Sequence, residues 1–149
     1  MNPMNQGAKA EGLDARYRTM LVLWSALLVS VGLYFFLTLV IERPAGDDNN
    51  EMLFWVFLAA SILPLLMSFV LKRRLLAQSV AEQRPQLVQS AMILAVALCE
   101  AVALFGLLVF FTTRTPYYFI FFIISALGIL LHLPRRDQLL AASYKRQGF

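Results

Sequence analysis

The 149-residue chain is 60% apolar and 15% charged, against about 45–50% and about 25% in soluble domains, and a single domain of this length cannot hide that much apolar surface from water. The net charge of +4 and the pI near 9.6 would suit nucleic acid, but the basic residues crowd the ends of apolar runs, where topology signals sit. One cysteine, one histidine and no Gly-rich phosphate loop, HExxH, nucleophile elbow or paired-cysteine motif exclude a disulfide framework within the chain and argue against an enzyme.

In chain order, residues 1–12 read as a flexible N-terminus. Leu13, Tyr17, Met20 and Trp24 follow helical spacing and suggest an amphipathic lead-in at the membrane interface. Residues 20–41 then run without a charge. The run is too long for the apolar core of a cleaved signal peptide, and no small-residue cleavage site follows it before Glu42-Arg43-Pro44. The acidic stretch Asp47-Asp48-Asn49-Asn50-Glu51 reads as a solvated turn; a cation site there would need more convergent ligands. A second uncharged run covers 52–71 and continues as helix to about 83, because 72–82 holds no Gly or Pro. Arg84-Pro85 then breaks the helix, since the residue before proline avoids the helical region. The third run, 87–111, carries one charge, Glu100, and the fourth, 117–133, is the shortest and most aromatic. Each is about long enough to cross a hydrocarbon core of roughly 30 Å at about 1.5 Å per residue. Strands of a β-barrel would alternate instead, so helices are the remaining way to pair the backbone in lipid.

The expectation is therefore an all-α membrane protein, one domain of four transmembrane helices in a bundle, with short interfacial helices at both ends. Eleven of the thirteen Lys and Arg fall on one side of these spans and two, Arg43 and Arg114, on the other. The positive-inside rule puts the eleven, with both termini and the central loop, in the cytoplasm, and a bacterial inner membrane is the expected location. The tail 134–149, with Arg135, Arg136, Lys145 and Arg146 and the apolar Leu139, Leu140 and Tyr144, reads as a basic helix on anionic lipid, with protein docking as the alternative.

Glu100 lies near the middle of its run, where a charge costs roughly 2.5–3.5 kcal/mol even on lenient insertion scales. A carboxyl at that depth is cheapest when protonated, and one that ionises on meeting water or a cation is what proton and sodium carriers use. Beside it Ala91, Ala95, Cys99, Ala103 and Gly106 form a small-residue stripe for close helix approach. On the second helix, Pro64 leaves the carbonyl of Ala60 without its usual donor. A protonated Glu100 could donate to that carbonyl while Ser61 holds its other oxygen.

Gln83-Arg84-Pro85-Gln86-Leu87, Met92-Ile93-Leu94, Cys99-Glu100-Ala101 and Leu104-Phe105-Gly106-Leu107-Leu108-Val109 resemble the carboxylate-bearing helix of rotary ATPase proteolipids, the c subunits of F-type and V-type ATPases. The resemblance covers about residues 75–109. It implies H⁺ or Na⁺ binding at Glu100, with Ala101, Phe105 and Gly106 as motif neighbours, and a cytoplasmic loop between the two helices. The second helix here lacks the regularly spaced Gly of family first helices, and the matching hairpin is flanked by an extra helix on each side.

Two function classes follow. One is a proteolipid-like protein, an oligomer of identical chains or a subunit of a membrane complex, in which Glu100 binds or carries H⁺ or Na⁺ with no other cofactor. The other is a non-transporting accessory or assembly subunit, with Glu100 as a protonated clamp between helices. Cys99, Ser125 and Gly128 read as packing residues, with a reactive thiol the lesser reading of Cys99. His132 reads as interfacial, with a proton relay as the lesser reading. Tyr117, Tyr118, Phe119, Phe121 and Phe122 read as an outer aromatic belt running into a lipid-facing surface, with a quinone or pigment pocket as the lesser reading.

Overall fold

The computed structural model describes residues 3–42 and 51–143, with side chains from Gly12 onward. All regular structure among them is helical: α1 (Pro3–Val40), α2 (Glu51–Glu82), α3 (Pro85–Thr112), a 3-10 turn (Pro116–Tyr118), α4 (Phe119–Leu131) and α5 (Arg136–Ser143). Gly12–Val40, α2 and α3 are each long and apolar enough to cross a membrane. A fourth span results if Pro116–Leu131 is taken together with α5, from which it is bent by 46°. By itself the segment from the 3-10 turn through α4 is about 25 Å long, a few ångströms short of the hydrocarbon thickness.

α1 is helical from Pro3, within the stretch read as a flexible N-terminus, of which residues 1 and 2 lie outside the described residues. The lead-in is likewise no separate interfacial helix. Leu13, Tyr17 and Met20 continue straight into the span and join the core that α5 closes from below, where Leu139 and Ala142 are buried. Arg136 of α5 pairs with Asp14 and lies over the Tyr17 ring at 5.5 Å. The tail helix thus docks on α1, α2 and α3 and spends Arg136 on protein rather than lipid. Arg135 stays exposed; Lys145 and Arg146 lie outside the described residues.

α3 is the central element, packed against α1, α2 and α4. The reason is its small-residue stripe: Ala91, Ala95, Cys99, Ala103 and Gly106 are all buried. α2 meets it without a glycine. Phe54, Ser61 and Ser68 recur at steps of seven, the repeat of a left-handed helix pair, and the buried serines act as small residues. Each turns its hydroxyl to its own helix: Ser61 to the Leu58 carbonyl (2.7 Å), Ser68 to Leu65 (2.6 Å) and Ser79 to Leu76 (2.7 Å). The polar atoms are thereby paired and what faces α3 is small. The hairpin turns at Gln83, whose φ of 53° is left-handed, and α3 opens with Pro85 in its first turn, a position that needs no N–H donor.

α4 approaches α3 more closely still. A Cβ on Gly106 would stand 2.8 Å from Phe121 Cβ, and one on Gly128 would stand 2.9 Å from Cys99 Sγ. α4 ends inside the protein, and its last carbonyls find side-chain donors: His132 Nδ1 donates to Gly128 (2.8 Å) and Trp24 Nε1 to Ile129 (2.8 Å). His132 is fully buried, its ring 4.6 Å from that of Phe69, because a helix end within the bundle needs its carbonyls capped from the chain itself. The aromatic belt is split in the same way. Tyr117 and Phe119 are exposed, whereas Tyr118, Phe121 and Phe122 are buried, Phe121 edge-on to Phe54 at 5.8 Å.

Gly128→Ala should lower stability by about 1–3 kcal/mol through overpacking against Cys99. Adding Cys99→Ala should recover part of that loss, because removing Sγ makes room for the new methyl. Thermal unfolding of the two single variants and the double variant in detergent measures the coupling, which must be favourable if the two residues touch as described.

Candidate functional site

Glu100 lies beside the small-residue stripe, toward the outward side of α3. Helical spacing places it with Ile93, Ala97, Leu104, Leu108 and Phe111, all exposed, while Glu100 itself is half-buried at the border with α1. α1 and α2 both pack on α3, but neither packs extensively on the other. This outward stripe of α3 is therefore left uncovered by both helices.

The carboxyl takes its hydrogen bonds from α1. Ser30 Oγ is 2.5 Å and Tyr34 Oη 3.1 Å from Glu100 Oε1. Ser30 Oγ is also 2.8 Å from the carbonyl oxygen of Leu27, one turn back. A serine hydroxyl has one proton and here faces two acceptors. With Glu100 ionised, Ser30 donates to the carboxylate. With Glu100 protonated, Oε1–H donates to Ser30 Oγ, Ser30 donates to Leu27, and Tyr34 continues to donate to Oε1. Both states are fully paired on the α1 side. Both donors reach Oε1; among the described residues none donates to Oε2, and Oε2 is not among the buried unpartnered atoms.

The pairing expected with α2 does not form. Ser61 is buried but donates to Leu58, and Ala60 is exposed. The reason is register. Ser68, not Ser61, is opposite the carboxylate level, because its hydroxyl stands 3.6 Å from Cys99 Sγ. The two are equally far in sequence from the Gln83–Arg84 turn, and Ser61 lies seven residues, about 10 Å, farther along. The motif neighbours Ala101 and Phe105 are half-buried and Gly106 is buried against α4; none of the three touches the carboxyl through a hydrogen bond. Phe105 instead stacks obliquely on Phe57 of α2 at 5.7 Å. His132 is held by Gly128 and Phe69, and neither contact leads to Glu100. Among the described residues no group of three or more His, Cys, Asp and Glu is placed to hold a metal.

Ser30 and Tyr34 are the site residues that the sequence reading missed. Their signal was present: Ser30, Tyr34 and Thr38 place three hydroxyls at steps of four on one face of an otherwise apolar run, and a polar stripe in a span asks for a polar partner on another helix. Compared with protein-family models, curated proteins and solved structures, the chain gives no match.

Ser30→Ala and Tyr34→Phe should each destabilise the protein by about 0.6 kcal/mol, the typical worth of a hydrogen bond between membrane helices. In a Glu100→Ala background both changes should become silent. Unfolding measurements on this double-mutant cycle test whether the two hydroxyls act through the carboxyl.

Proposed function

We propose that this chain is an integral membrane protein of four spans, with both ends in the cytoplasm of a bacterial cell, whose mid-membrane carboxyl Glu100 binds and releases a proton. The observation that carries the reading is the Ser30 hydroxyl between two acceptors, 2.5 Å from Glu100 Oε1 and 2.8 Å from the Leu27 carbonyl. It gives both protonation states a complete set of bonds on the α1 side. Intramembrane acids are functional by default, and the likeness of the α2–α3 hairpin to rotary ATPase proteolipids points the same way. A proton suits the site better than Na⁺, because Ser30, Tyr34 and Glu100 bring few oxygens to replace a hydration shell.

A second reading has its own observation. Both hydrogen bonds to Glu100 come from α1, so the carboxyl also ties α1 to α3, as a clamp in an accessory or assembly subunit would. Exposure separates the two. Glu100 borders the exposed stripe of α3, and a hydrophobic carbodiimide arriving through lipid should modify it.

In native membranes that reagent should label the wild-type protein at near-neutral pH, fail on Glu100→Gln, and be unaffected by added sodium. An unlabelled Glu100 in intact protein would give the site to the clamp reading, and protection by sodium would change the ion. Orientation is tested separately: reporter fusions after residue 46 and after residue 78 should report opposite sides, and matching signals would end the four-span topology.

A further inference from the structure

We infer that Lys72 and Arg135, brought together at the foot of the seam between α2 and α4, hold the phosphate of an anionic phospholipid headgroup. The site lies apart from Glu100 and does not depend on the proton reading.

That seam is built on one repeated spacing. Leu65 lies against Gly128, and four residues on, the ring of Phe69 is 4.6 Å from that of His132. A further step of three residues on both segments reaches Lys72 of α2 and Arg135 in the turn after α4. The Arg135 charge acts on Lys72, and the Lys72 charge in turn reaches the buried His132 and Cys99. The ammonium therefore stands at the seam. Pro134 is buried and anchors the turn that presents the exposed Arg135.

Two like charges held together call for an anion, and the described residues supply none. Arg136 is spent on Asp14, and Glu82 pairs with Arg84. Asp137, the acid in the first turn of α5, makes no ion pair with Lys72 or Arg135. α5 begins at Arg136, so the positive end of its dipole adds to the same spot. Lys72 is half-buried, and there water and salt screen the repulsion less than at an open surface.

The surroundings select a lipid phosphate. A phosphate offers oxygens to an ammonium and a guanidinium at once, and the guanidinium can take two of them. Lys72 directly follows the uncharged run 52–71, so the pair stands at the level where headgroups begin. The four-span reading puts that level in the cytoplasmic leaflet, which carries the anionic lipid. Leu131 and Leu133, on either side of His132, are exposed and give acyl chains an apolar surface beside the pair.

Native mass spectrometry of the purified full-length protein in detergent tests this, with phosphatidylglycerol as probe and diacylglycerol of the same chains as the phosphate-free comparison. Phosphatidylglycerol should bind about tenfold more tightly or better. The double variant Lys72→Gln, Arg135→Gln should lose that advantage. Arg74→Gln, which removes an exposed charge from the opposite face of α2, should keep it. Equal binding of the two lipids, or the same loss in Arg74→Gln as in the double variant, overturns the inference. Displacement of phosphatidylglycerol by millimolar inorganic phosphate would give the site to a solute and overturn the headgroup assignment. Thermal unfolding of delipidated protein guards against a merely structural role: Arg135→Gln relieves a repulsion and should not lower the midpoint, whereas a lowered midpoint would make Arg135 a structural contact and overturn its assignment to lipid.

Discussion

Hydrocarbon supplies no hydrogen bonds, so every polar group that a chain carries into a membrane must find its partner on the protein. Most polar side chains here do so locally. Ser61, Ser68, Ser79 and Thr38 donate to carbonyls of their own helices, and the inner end of α4 is closed by His132 and Trp24. Glu100 is different because a carboxyl in mid-helix has no local donor. Its partners come from α1, and that need fixes where α1 lies on α3.

The two sides of α3 then divide the work. One side is small and dry, with Cys99 and Gly106 so close to α4 that neither Gly106 nor Gly128 has room for a methyl group. Interiors packed to that density transmit displacement rather than absorb it. The other side carries the carboxyl beside the exposed stripe that neither α1 nor α2 covers. A rigid face behind and a protonatable group in front is the arrangement in which a change of charge at Glu100 acts on the seating of α1, because Ser30 and Tyr34 belong to that helix. α5, docked by Leu139 and by the Arg136–Asp14 pair, holds α1 near Asp14 and Tyr17.

Particular residues show what could be read in advance. The helices and the burial of Ala91, Ala95, Cys99 and Ala103 follow from apolar run length and four-residue spacing, both local properties of the chain. The partners of Glu100 do not. The sequence offers Ser61 as its neighbour, but the tight turn at Gln83–Arg84 sets Ser68 opposite Cys99 instead. The contact with Ser30 joins helices that are not consecutive, and no spacing rule within either helix specifies that pairing. The tail was ambiguous for a different reason: a basic amphipathic helix offers the same face to lipid and to protein, and only Asp14 and Tyr17, more than a hundred residues away, decide for protein.

The central claim is that Glu100 exchanges a proton while its carboxyl is bonded to Ser30. Infrared difference spectroscopy of the protein in lipid bilayers reads this bond directly, because a protonated carboxyl shows a carbonyl stretch distinct from that of a carboxylate. Titration with base should remove one such band, which should be missing from Glu100→Gln and shifted in Ser30→Ala. A folded wild-type protein in which no carboxyl band titrates, or a band indifferent to Ser30→Ala, would contradict the account.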